Sequence, residues 1–240
     1  MADSTALPFP ASQTLPAQAT TAVPRHTLTV RITHWIAAVC FLALLVSGIE
    51  TLITHPRFYW GEAGNLLMPP LFSIPIPASR GAVPTGYNFV LKDQNYWARS
   101  LHFQAAWLLF FAGTYYLLAG FISRHFARNL MPQKGTSFRE RSSDAASYNP
   151  LQRATYLAVI FVLFPLMFWT GLAMSPAFVA AFPITAASLG GQQSARTIHF
   201  FTTVALVLFS IGHVVMVYRA GFVSRTRAMI TGRASSKESA

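Results

Sequence analysis

Apolar positions fall into four long runs, roughly Leu28–Ile53, Trp97–Ile122, Ala154–Met174 and Ala195–Tyr218, separated by polar, proline-rich or basic segments. Each run meets the roughly 20 residues that an α-helix needs to cross a hydrocarbon core about 30 Å thick. Lipid offers no hydrogen bonds to an open backbone, so each run is expected to close its own bonds as a helix. The long alternating pattern of a β-barrel is missing. The expected fold is an all-α membrane protein: a four-transmembrane-helix bundle with a long external loop between helices one and two. Residues 25–227 make up the membrane domain. Residues 1–24, rich in Ala, Thr, Ser and Pro, read as a disordered cytoplasmic tail, and residues 228–240 as a cytoplasmic tail. No short apolar core with a small-residue cleavage site precedes the first run, so a cleaved signal peptide is not expected.

Composition agrees with the pattern. The 240 residues are 53% hydrophobic and only 10% charged, too few charges to solvate a soluble surface. A net charge of +11 would suggest a nucleic-acid partner in a soluble protein. Its distribution points to membrane lipid instead, and no nucleic acid is expected. Thirteen of the 18 Lys and Arg lie before or in the opening turn of the first run, between the second and third, or after the fourth. The positive-inside rule then puts both termini in the cytoplasm. The single cysteine, Cys40, lies inside the first run and reads as packing. No Cys-x-x-Cys-His is present for covalent haem attachment.

The connections differ in character. Thr54–Tyr96 is a 43-residue external loop with six prolines and the aromatics Phe58, Tyr59, Trp60, Phe72, Tyr87 and Phe89. That composition suits an interfacial lid or a docking surface for an external partner. Ser123–Arg153 is basic, polar and expected to be mobile. Pro165 should kink the third helix, and Gly171 adds a small contact there. Pro176, Pro183 and Gly190–Gly191 should make the turn into the fourth helix.

Ionisable groups inside a membrane mark function by default. His199 and His213 lie 14 positions apart on the fourth helix. At about 100° and 1.5 Å per residue they share a face and stand roughly 21 Å apart along the axis. His34 lies at the depth of His213, and His102 at the depth of His199. Two histidine pairs are thus expected, stacked across the membrane, with the fourth helix contributing to both. Facing neutral imidazoles far enough apart for a flat macrocycle suit six-coordinate haem. Zinc would need a tighter cluster of ligands than the pattern offers. The open alternative is that these histidines simply hydrogen-bond between helices.

Gly48, 14 positions after His34, should reach the depth of the external pair, and Gly113, 11 after His102, should approach that of the internal pair. Each would let a macrocycle close on the backbone, or serve as ordinary small-residue packing. Arg31 and Arg219 on one side, and Arg99 and Arg196 on the other, could meet haem propionates or act as snorkelling anchors. His26, His55 and His125 read as surface groups, and Glu50 as an acid near the external end that could relay a proton.

With these residues in place, the chain resembles the bacterial dihaem membrane cytochromes b. These include bacterial cytochrome b561, the b-type cytochromes of nickel–iron hydrogenases and the gamma subunit of formate dehydrogenase. The resemblance rests on Arg-x-x-His-Trp at Arg31–Trp35, His102 opening the second helix, Thr-Gly-Leu at Thr170–Leu172, and His199 with His213. It implies two haem b groups in the bacterial inner membrane, passing electrons between a periplasmic oxidoreductase subunit and the quinone pool. The chain would then be the electron-transfer subunit of a complex. The segment Thr54–Gly64 is more similar to cytochromes b that accompany molybdopterin oxidoreductases of the sulfite-oxidase type. Two other readings stay open: a stand-alone quinol-oxidising cytochrome acting on oxygen species, and a haem-free anchor or transporter.

Overall fold

The computed structural model describes residues 27–65, 67–75, 95–124, 126 and 150–232, with side chains of the second and third spans described from Trp97 and Ala154. The tail 1–24, His26, His125, nearly all of the basic loop and residues 233–240 lie outside these described residues.

All four apolar runs are helices long and apolar enough to span a membrane. Helix α1 is Leu28–Thr54 and α2 is Asn95–Ile122. The third span is composite: α3 (Pro150–Ala158), a π-helical turn (Val159–Leu163) and α4 (Phe164–Ala173). Two short helices, α5 (Pro176–Ala181) and α6 (Ile184–Ala187), lead into α7 (Gln192–Arg219). A last helix, α8 (Phe222–Thr231), follows a glycine turn. A two-residue antiparallel pair, β1 (Arg57–Phe58) and β2 (Phe72–Ser73), lies in the loop after α1.

Burial runs opposite to that of a water-soluble protein. Val39, Leu42, Phe111, Leu118, Leu208 and Ile211 point outward, while Thr33, Ser47, Thr170, Ser194, Thr197 and Thr202 are buried. Apolar side chains gain nothing by leaving lipid, so the interior is free to take small and hydrogen-bonding residues. The α1–α2 seam follows this rule. Thr33, Cys40, Ser47 and Thr54 are buried at seven-residue intervals on α1. On α2, Ala98 and Ala105 are buried, and Ala112 and Ala119 continue the same interval half-buried. Small side chains every two turns let two antiparallel helices approach closely along their length.

The bundle is therefore two helix pairs. α1 packs along α2, and α4 with the π turn packs along α7. Just before Pro165, where a kink was expected, the helix carries a widened turn in which the Phe164 N–H reaches the Val159 carbonyl. Proline lacks an N–H and crowds the carbonyl four residues back, and a π turn relieves both problems. One end of the bundle carries the start of α1 and all of α8, and is called the terminal end below. The other carries the loop after α1 and the turn before α7, and is the loop end.

Candidate functional site

The four histidines meet two by two between the helix pairs. Near the terminal end, the ring centroids of His34 (α1) and His213 (α7) lie 6.2 Å apart with planes at 51°. Near the loop end, those of His102 (α2) and His199 (α7) lie 6.3 Å apart at 53°. Helix α7 carries one member of each pair because 14 residues return it to almost the same face.

These spacings fit a metal held from both sides. An imidazole nitrogen binds a first-row metal at about 2.0–2.1 Å and sits about 1 Å from its ring centroid, so two rings sharing one metal should have centroids about 6 Å apart. Two imidazoles fill two of six positions, leaving four for a macrocycle. Among the described residues no three His, Cys, Asp or Glu gather as a metal cluster. The donor set thus suits axial ligation of haem.

The loop-end pair is held by side chains from neighbouring helices. His102 Nδ1 lies 2.9 Å from Ser47 Oγ on α1, and His199 Nδ1 lies 2.9 Å from Thr170 Oγ1 on α4. Each hydroxyl donates its own proton to the carbonyl four residues back, Ala43 at 2.7 Å and Leu166 at 2.8 Å. Its oxygen is then an acceptor, and Nδ1–H the donor. With the hydroxyl protons so placed, Nδ1 carries the ring proton and Nε2 keeps its lone pair. A glycine follows each hydroxyl. A Cβ on Gly48 would touch His102 Cε1 at 3.7 Å, and one on Gly171 would touch His199 Cε1 at 3.8 Å.

The terminal-end pair is set among rings. Trp35 meets His34 edge-on at 5.4 Å. Phe209 stacks against His213 at 5.9 Å, and Tyr156 meets it edge-on at 6.3 Å. His213 Nδ1 is buried without a hydrogen bond to any described residue. The position of Gly113 is open: a Cβ there would meet nothing within 4 Å.

The arginines expected near a macrocycle are placed variously. Arg31 donates Nε–H to the Met229 carbonyl at 3.3 Å and a second N–H to the Ile230 carbonyl, so it ties α1 to the C-terminus of α8. Those carbonyls form the negative end of the helix dipole, a natural seat for a cation. Arg196 donates to the His55 carbonyl and lies 5.0 Å over the Phe58 ring. Arg99 lies 5.8 Å over Phe103, and Arg219 is exposed in the last turn of α7. Glu50 is buried, with Oε1 unbonded to any described residue.

The loop after α1 clamps the start of α7. The Gly61 carbonyl accepts from Gln193 N at 2.9 Å and Ser194 N at 3.2 Å, while Gly61 N donates to Ser194 Oγ at 2.8 Å. The Glu62 carboxylate accepts from Gln192 N at 3.3 Å. Thr197 Oγ1 donates to the Tyr59 carbonyl at 2.7 Å. These bonds satisfy N–H groups that a helix start leaves open. The contact demands glycine on both sides: Gly61 and Gly191 have φ of +101° and +111°, and a Cβ on Gly191 would come within 2.5 Å of the Gly61 carbonyl. His55, the C-cap of α1, sits beside this clamp with Nδ1 2.8 Å from Thr54 Oγ1. Partial burial of its ring, and then the Arg196 charge, hold its pKa below the ordinary 6.5, against a backbone hydrogen bond to Thr51 that raises it.

Sequence reasoning missed the partners Ser47, Ser194 and Thr197 and the clamping role of Gly61. The one available signal was the repeat of a hydroxyl–glycine dipeptide, Ser47–Gly48 and Thr170–Gly171, at the depth of the loop-end pair.

Residues 25–232 match the family described as prokaryotic cytochrome b561. The chain is also 30% identical over 223 residues to an Azospira oryzae protein named putative protein-methionine-sulfoxide reductase subunit YedZ1, covering 86% of this chain and 96% of that one. No solved structure matches.

Proposed function

This chain belongs to the prokaryotic cytochrome b561 family, a multi-pass membrane b-type cytochrome of electron transfer, and on that premise we propose that it holds two haems and links quinone to a partner oxidoreductase. One haem would sit between His34 and His213, the other between His102 and His199. The observation that carries this reading is the pair of centroid spacings, 6.2 and 6.3 Å, at opposite ends of one bundle. Haem iron, when bound, supplies the one-electron couple that the side chains lack.

What the chain contributes is position and surroundings. The imidazoles of His34, His102, His199 and His213 would hold the haems by nitrogen, from three helices. The outward-facing apolar side chains keep the sites in lipid, where water is scarce. The clamp fixes the start of α7, the helix that carries His199. The excess of Lys and Arg in the flanks of the terminal end supports a cytoplasmic placement of both termini in a bacterial inner membrane. The loop end would then face the periplasm, and its exposed Trp60, Leu67 and Leu71 offer an apolar surface to a partner.

The Azospira relative is named as a reductase subunit. That name, with the likeness of Thr54–Gly64 to cytochromes accompanying molybdopterin enzymes, supports a periplasmic molybdopterin oxidoreductase as partner. Two measurements test the proposal. A reduced quinol added to the purified chain in liposomes should reduce its haem, read at the α band. Gentle purification from the native membrane should bring the oxidoreductase with it. Intact haem that no quinol reduces contradicts the quinone arm, and an active chain that always purifies alone contradicts the partner arm.

A further inference from the structure

The two hydrogen-bonded imidazoles at the loop end share one construction. A buried hydroxyl from the adjacent antiparallel helix bonds Nδ1, a glycine next in sequence lies under Cε1, and the hydroxyl proton goes to its own helix. Ser47–Gly48 does this for His102 and Thr170–Gly171 does it for His199. Both hydroxyl residues are fully buried, at 0% exposure. The same donation to the carbonyl four residues back frees Ser194 Oγ to accept from Gly61 N–H. The arrangement is thus a general way, in this bundle, of turning a helix hydroxyl into an acceptor for a neighbouring element.

We infer that Ser47 and Thr170 are positioning residues that set the donor strength of His102 and His199, and with it the redox potential of the loop-end haem. This rests on the haem reading given above. An acceptor on Nδ1–H fixes the tautomer with Nε2 free for iron, stops ring rotation and makes the ligand more basic. A more basic axial ligand favours ferric iron, so these bonds lower the midpoint potential relative to the same site without them. His213 Nδ1, with no hydrogen bond to a described residue, lies outside this control.

The experiment is a spectroelectrochemical titration of the purified chain, with electron paramagnetic resonance of the ferric haems. Ser47→Ala and Thr170→Val are compared with Ser47→Thr and Thr170→Ser, which keep the hydroxyl. In Ser47→Ala and in Thr170→Val the midpoint of one component should rise and its ferric g-values should shift. The double variant should move that component further and leave the other at its wild-type potential. The hydroxyl-keeping variants should stay near wild type. Loss of the loop-end haem only where the hydroxyl is lost also supports the inference. Unmoved midpoints with haem retained, movement of both components alike, or equal loss in both kinds of variant would overturn it. The haem reading fails separately, and earlier, if wild type shows no second low-spin component.

Discussion

The two ends of the bundle solve the same problem differently. At the loop end, hydrogen bonds do the positioning: two hydroxyls hold the imidazoles, and the Gly61 clamp fixes the start of α7 ahead of His199. At the terminal end, Trp35, Phe209 and Tyr156 surround the pair, and Arg31 is spent on tethering α8. Polar positioning is directional and specifies a tautomer, whereas ring packing limits volume and leaves rotation freer. Hydrogen bonds thus fix the ring orientation of His102 and His199, while ring contacts bound the space around His34 and His213.

The strongest way to break the comparison is to remove one ligand at a time. His213→Ala should lose the terminal-end haem and keep the other, halving haem absorbance per chain, and His199→Ala should do the reverse. Loss of both haems from a folded chain in either variant would mean the ends are not independent. Next in size is Gly191→Ala, which forces a side chain onto a left-handed backbone position and into the Gly61 carbonyl. A cost of about 1–3 kcal/mol is expected, with the loop-end haem released at lower temperature than the terminal-end one. Ser194→Ala removes the acceptor for Gly61 N–H and should cost about 1 kcal/mol, again at the loop end. Arg31→Gln should free the end of α8, seen as faster proteolysis there with both haems retained.

The smallest effect should be one of pH. The folded protein holds His55 neutral below its ordinary 6.5, so the unfolded chain takes up that proton first. Stability of the loop end should be flat above about pH 7 and fall as pH drops through 6.5 toward the lowered value, levelling below it. His55→Gln should flatten that slope. The residue stands on an exposed rim, so the slope is shallow.

Much of this was legible in the sequence because lipid imposes simple rules. The four apolar runs became helices, and the interval from His199 to His213 with the depths of His34 and His102 anticipated which rings meet. The rest depended on contacts between distant segments. Arg31 read as a propionate partner or a snorkelling anchor, and its tie to the carbonyls of Met229 and Ile230 was not foreseen, because no periodicity in the chain announces that α8 folds back on α1. Trp60–Gly64 read as part of a long aromatic loop and of the Thr54–Gly64 resemblance, but not as a clamp, since the fit of Gly61 to Gly191 exists only once the turn before α7 is built. The seven-residue spacing of Thr33, Cys40, Ser47 and Thr54 against that of Ala98, Ala105, Ala112 and Ala119 was in plain view, but the polar members hid it from a search for apolar stripes.

The most direct test of the central claim is the haem-to-chain ratio of the purified protein by pyridine haemochrome, with the spectrum of its axial ligation. Two b-type haems per chain, both low-spin with two nitrogen ligands, is the predicted result. A ratio of one or none, or a high-spin haem with a single histidine, would contradict it.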